Sequence, residues 1–194
     1  VYVEYFEGGR TPDFKEFELD RRGRTRNQMQ LIRFNNLAGV RYNIQSADDD
    51  FEIYNVADDP KQTKNLASLP GYSKMQSQMK AKVLQLRRSD ANAKRPYDTA
   101  SVPSITLNKK LQSGFKWKFY AGNFPYVASI KNSRPGASGI TPVIKETEGA
   151  GKKGIIVYEA FIKVPQDGKY NFSFQTSGKA FIRLHEAELF DTDF

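Results

Sequence analysis

Three short runs of alternating apolar and polar residues, set at hairpin spacing and closed by an Asp-Pro step, do most to constrain how this chain can fold. The runs are "QMQLIRF", "GVRYNIQ" and "FEIYNV", separated by "NNLA" and by an acidic turn containing "DDD". Alternation at period two turns one face to a core and the other to solvent, so three such runs predict an antiparallel sheet. "VYVEYF" at the start alternates well enough to add a further strand. Beyond the third run, Asp59 before Pro60 suits a helix N-cap with proline at the first helical position. "PGYSKMQSQMKAKVLQLRRSD" then reads as one helix, with Met75, Met79, Val83 and Leu86 on a single stripe. Ser73 is a candidate cap, and Arg87 and Arg88 complement the negative end of the helix dipole.

From Ser89 to Ser113 that periodicity is lost among Pro, Ser and Asn, which predicts a linker. The remainder is β-rich: "FKWKFYAG", "GIIVYEAFIKV", "GKYNFSFQTS" and "KAFIRLHE" are divided by Gly, Pro and Asp turns. Alternation in "YNFSF" puts Tyr170, Phe172 and Phe174 on one face. The expected fold class is therefore α+β. A small antiparallel sheet with a packed C-terminal helix fills residues 1–88, a linker 89–113, and a β-sandwich 114–194.

A chain of 194 residues can bury a sizeable core, and a 13% aromatic share offsets an apolar content of 39%. No apolar run approaches the ~18 residues that a membrane span requires. The chain opens directly on a strand-like run with no secretory leader, and is expected to be a piece of a longer protein. A net charge of +8 favours polyanions without choosing among nucleic acid, acidic glycans and sulfated sugars. The absence of cysteine excludes disulfides, Cys-based zinc sites and a thiol nucleophile, but not export.

Met29-Gln30-Leu31-Ile32-Arg33, then Gly39-Val40-Arg41-Tyr42, then Glu52-Ile53-Tyr54-Asn55-Val56 through Asp59-Pro60 to Asn65-Leu66-Ala67 form an ordered series. It resembles the C-terminal subdomain of the sulfatase family, over about residues 1–88. The resemblance implies a sulfuric ester hydrolase, exported to the bacterial periplasm or secreted, and active on sulfated glycans. Its catalytic domain would lie upstream, with a formylglycine nucleophile and a calcium ion. The formylglycine arises from Cys/Ser-x-Pro/Ala-x-Arg. "SVPSI" has Ile105, and "SLPGY" Tyr72, where arginine is needed. The chain is thus expected to hold no catalytic residue, cofactor or metal, to be inactive alone, and to complete the fold of that upstream domain.

"FKWKFYAGNF", "EAFIKVPQDGKYNFSFQTSGKAFIRL" and "ELFDTDF" resemble the protective-antigen-like β-sandwich found on bacterial toxins, adhesins and glycan-processing enzymes. Ser177-Gly178 stands where calcium-binding members of that group carry an Asp-Asp pair. The sandwich is expected to be incomplete at Phe194. A freestanding carbohydrate-binding or adhesion module is the alternative reading of the whole.

Arg22, Arg24 and Arg26 lie in "RRGRTRNQMQLIR", a stretch without carboxylates, and guanidinium forks suit sulfate and carboxylate. They are candidates for contact with an acidic or sulfated glycan, against a merely solvated basic loop. Trp117 and Tyr120 could stack on a sugar, although alternation in "FKWKFY" also fits Phe115, Trp117 and Phe119 facing a core. Asp48 to Asp50 read as a solvated turn rather than a calcium site, because adjacent residues point apart and calcium takes six to eight oxygens. His185 has no partner nearby in sequence. The basic helix carries too thin an apolar stripe for membrane insertion, and no nucleic-acid module is recognisable.

Overall fold

The computed structural model describes residues 1–88, 94–108, 110–144 and 151–192. The chain divides into two compact units, one from Val1–Pro103 with His185–Ala187, the other from Ser104–Leu184 with Glu188–Phe194.

In the first unit, strands β1 (Tyr2–Tyr5), β2 (Met29–Phe34), β3 (Leu37–Arg41) and β4 (Glu52–Asn55) form an antiparallel sheet in chain order. The β2–β3 hairpin turns on Asn35-Asn36, with Asn35 at φ 50°, a left-handed conformation that asparagine tolerates. Helix α1 (Ser73–Leu86) lays the expected stripe on this sheet. Met79 and Val83 join Ile32, Phe51 and Ile53 in the core, and Met75 and Leu86 pack against them. Gly39 sits beneath Met79, where an added Cβ would collide with the Met79 sulfur and lie 3.2 Å from the Phe51 ring. Gln76, buried on the same helix, accepts a hydrogen bond from Phe51 N at 3.0 Å and donates to Phe51 O. A helix side chain thereby supplies the partner that this backbone lacks.

Asp59-Pro60 does not open the helix. It lies in a turn, and α1 begins at Ser73 after an irregular stretch. Asp59 instead accepts hydrogen bonds from Lys64 N at 2.8 Å and Thr63 Oγ1 at 3.1 Å. Ser73 is not the cap either: Tyr72 holds that position without a side-chain bond.

Residues 94–103, expected within the linker, belong to the first unit and bring in Tyr97, 1% exposed, beside Ile44 and Leu84. Residues 89–93 and 109 of that expected linker lie outside the described residues.

The second unit contains a three-stranded antiparallel sheet of β5 (Phe115–Ala121), β6 (Ala137–Thr141) and β7 (Gly154–Glu159), with β5 central. A separate hairpin pairs β8 (Phe181–Leu184) with β9 (Ala187–Asp191). "GKYNFSFQTS", expected as a strand, joins no ladder, and Tyr170, Phe172 and Phe174 are exposed. The observed architecture is α+β: small antiparallel sheets with one α-helix among the described residues.

Candidate functional site

Beyond β1 and before β2 the chain forms a narrow ribbon. Arg26 N donates to Gly9 O and Thr11 N to Arg24 O, with Arg10 bridged to Thr25. The candidate arginines brace this ribbon. Arg22 donates to Phe17 O at 2.7 Å and to Lys15 O, and Arg26 to Arg10 O at 3.2 Å. Arg24 forms an ion pair with Glu52 at 2.9 Å and lies 4.7 Å from the centre of the Tyr42 ring. Burial opposes the Arg24 charge, but the bond to Glu52 and its negative charge more than offset that, so its pKa is raised. Arg21, not singled out in the sequence, donates to Gln62 O and so ties the ribbon to the loop after β4. Arg26 Nε is buried without a hydrogen-bond partner among the described residues.

A polar network lies under the start of the sheet. Arg95, with a side chain 3% exposed, is paired with Glu4 at 2.6 Å and with Asp98 at 3.1 Å. Arg87 also meets Asp98, at 3.0 Å. Arg41 donates from Nε and Nη2 to Gln30 Oε1 at 2.8 and 2.6 Å, and from Nη1 to Ala47 O and Asp49 O. Among the described residues no carboxylate bonds the Arg41 guanidinium, and burial lowers its pKa while the Asp49 charge opposes the shift. The guanidinium carbons of Arg41, Arg87 and Arg95 lie 5.9, 5.9 and 5.6 Å from the Tyr97 ring centre. Burial and the neighbouring Glu4 hold the Tyr97 hydroxyl above the ordinary phenol value. Its oxygen makes no well-formed hydrogen bond among the described residues. The sequence signal for this cluster was "KRPYD", a dense polar-aromatic run inside the stretch read as linker.

Beside this network opens a shallow depression of about 500 Å³, wide open to solvent. Asn27 and Gln28 entering β2 and Asn43 and Gln45 leaving β3 are among its lining residues. Asn27 Oδ1 accepts from Gly9 N at 3.3 Å, and Gln45 Nε2 donates to Asn43 O at 2.8 Å and to Asn43 Oδ1 at 3.3 Å. Phe6 and Ile44 add apolar surface, and Lys94 and Arg95 positive charge. Gln28 and Asn43 hold φ of 48° and 49°, a left-handed conformation costing a non-glycine residue about 1–2 kcal/mol. Ile44 N donates to Gln28 O at 3.1 Å and ties the two kinks together. Gln28 Oε1 is buried without a partner among the described residues. None of Arg22, Arg24 and Arg26 lines the depression.

The remaining candidates are dispersed. Trp117 is 9% exposed and lies over Gly139, where a Cβ would come within 2.9 Å of its indole nitrogen. Its ring is therefore packed rather than offered as an open stacking face, while Tyr120 on the same strand is half-buried. Asp49 accepts from Gln45 N and Ser46 N within its own turn, and Asp50 is paired with Lys80 of α1. His185 occupies the β8–β9 turn at φ 54°. Among the described residues no group of three or more His, Asp or Glu could hold a metal ion. The calcium implied by the sulfatase resemblance would need other ligands.

The chain matches no family model, no curated protein and no solved structure.

Proposed function

We propose that the chain is the non-catalytic C-terminal part of an exported bacterial sulfatase acting on sulfated glycans, and that it completes the fold of an upstream catalytic domain. The observation that carries this reading is how the Glu52–Ala67 string is built. Asn65 Oδ1 accepts hydrogen bonds from both Ile53 N and Ala67 N at 3.0 Å, and Leu66 N donates to Ile53 O at 2.7 Å. The Asn-Leu-Ala return is thus stitched onto β4, while Asp59 closes the intervening loop. The string is built as one closed unit from β4 to Ala67, which supports reading it as the sulfatase-like element. The formylglycine nucleophile and calcium would belong to the upstream domain, and residues 114–194 are read as a protective-antigen-like β-sandwich. The ribbon arginines would contact acidic substrate through donors not engaged by backbone carbonyls.

The test is the reading frame upstream of Val1, which should encode Cys/Ser-x-Pro/Ala-x-Arg, with expression of both lengths. The longer protein is expected to hydrolyse an aryl sulfate and the 194-residue chain to be inert. Turnover by the short chain, or an upstream frame without the motif, overturns the reading. The second reading, a carbohydrate-binding module, is favoured by one observation, the amide-lined depression.

A further inference from the structure

The geometry points to strand β7 (Gly154–Glu159) as a docking edge for a second copy of this chain. The two β7 strands pair antiparallel about a two-fold axis at Ile156 and join two three-stranded sheets into one. The inference does not depend on the sulfatase reading, because it concerns self-association of this chain rather than turnover by a longer one.

β7 is an open edge. β5 pairs with it on one side, and no strand among the described residues pairs with the other. Gly122 N donates to Lys153 O at 3.1 Å, which fixes the alternation along the ladder. Lys153, Ile155, Val157 and Glu159 exchange bonds with β5, while Gly154 and Ile156 turn their N–H and C=O groups outward. Three other edges carry features that discourage pairing. β4 is covered by the Asn-Leu-Ala return through Asn65 and Leu66. β1 turns Glu4 inward against Arg95. β6 holds Ser138 and Gly139, which offer a neighbouring strand little to pack on. β7 has none of these: its register with β5 runs without a bulge, and its interior, Ile155-Ile156-Val157-Tyr158, holds neither proline nor charge.

Charge selects the occupant. The register centred on Ile156 sets that residue opposite its counterpart, Ile155 opposite Val157, and Lys153 opposite Glu159. The two-fold repeats the last two pairs, and both fall at non-hydrogen-bonded positions, where cross-strand side chains approach most closely. β-Branched side chains meet one another in the middle, and an ion pair closes each end. Lys153 and Glu159 are both exposed, and Glu159 already meets Lys118 at 3.5 Å, so each carboxylate in the dimer lies between two cations. The segment that follows β7 complements this edge less well. A hairpin turned at Pro165–Gly168, with Val164 opposite Lys169, sets Thr176, Ser177 and Gly178 against Val157, Ile156 and Ile155, and Phe174 against Glu159. One strand of six residues from each copy is a small interface, so the dimer is weak and concentration-dependent.

Sedimentation equilibrium of the 194-residue chain at low ionic strength, between about 5 and 500 μM, tests this. The apparent mass is expected to climb from 22.1 kDa toward twice that value. In an equal mixture of 15N-labelled and unlabelled chains, a carbodiimide, which condenses a carboxylate with an amine, should link Lys153 of one isotope to Glu159 of the other. Lys153→Glu and Glu159→Lys, both at exposed positions, each set like charges opposite one another and should weaken the dimer about tenfold. The double variant puts opposite charges together again and should return to within about threefold of the parent. Mass and cross-link need no variant, so they decide the matter even if a substitution disturbs the sheet. The proposal is overturned by a mass of 22.1 kDa at every concentration, by cross-links confined to single chains or mapping elsewhere, by a single variant that associates as the parent does, or by a double variant no tighter than the singles.

Discussion

Met79 and Val83 are wholly buried between helix and sheet in the first unit, whereas Phe161, Ile162, Phe172 and Phe174 in the second are each more than half exposed. Both regions carry regular apolar patterns in the sequence. The difference is that the stripe on α1 meets a complementary sheet face, while the run from Ala160 to Phe174 joins no ladder among the described residues, and Phe174 meets the Phe190 ring with centroids 6.3 Å apart. Alternation states which side chains a strand would turn inward, but a strand exists only where another backbone accepts its hydrogen bonds. The first unit also buries polar side chains, among them Gln30, Arg41, Gln76 and Arg95, whose hydrogen bonds reach Tyr2, Gln30, Phe51 and Glu4.

That contrast is most exposed to refutation at Arg95. Arg95→Ala leaves Glu4 and Asp98 without their shared cation at a site 3% exposed, and should cost about 3–5 kcal/mol in urea unfolding followed by helical circular dichroism. A loss below about 1 kcal/mol would show that the network is wetter and looser than its geometry. Gly39→Ala drives a methyl into Met79 and Phe51, and about 1–3 kcal/mol should be lost by the same measurement. Asn65→Ala strips one acceptor from two backbone N–H groups. It should cost about 1–2 kcal/mol, with faster hydrogen exchange at Ile53 and Ala67 before anywhere else.

A smaller effect is expected from acid. The N–H groups of Lys64 and Thr63 hold the Asp59 carboxyl below its ordinary value. Its support for the loop is therefore complete above the unfolded aspartate value of about 3.9 and is lost as pH falls through the lower folded value. The Lys64 amide shift, followed from pH 6 to pH 2, should move with a midpoint below about 3.9. A midpoint above it removes the role assigned to Asp59. The least effect belongs to the second unit: Phe172→Ser, at a position 59% exposed, should change stability by no more than about 0.5 kcal/mol. A large loss there would mean that this side chain is packed, and the contrast between the units would fail.

Much of the first unit was legible because its contacts are local or periodic. β2, β3 and β4 are joined by short turns, and the stripe from Met75 to Leu86 follows the helical repeat. Asp59 misled because an aspartate before proline suits a helix cap and a loop clasp equally well, and only the tertiary return of Asn65 to β4 decides between them. Beyond the dense "KRPYD" run the polar network could not be read, because Glu4 and Arg95 are 91 positions apart. The candidate site fared similarly. The arginines were visible as a cluster, yet their bonds to Phe17, Lys15 and Arg10 carbonyls depend on the path of the ribbon. The four amides of the depression are scattered over two strand ends, and nothing in their spacing announces that two kinks bring them to one rim.

The seating of Tyr97 bears on how this protein can be divided. A fragment ended after Arg88, just past the end of α1, would discard Arg95, Tyr97 and Asp98 together. Glu4, Arg41 and Arg87 would then face water through an opening where an aromatic plug had been. Such a fragment should aggregate or melt early, whereas one carried to Pro103 retains its own stopper.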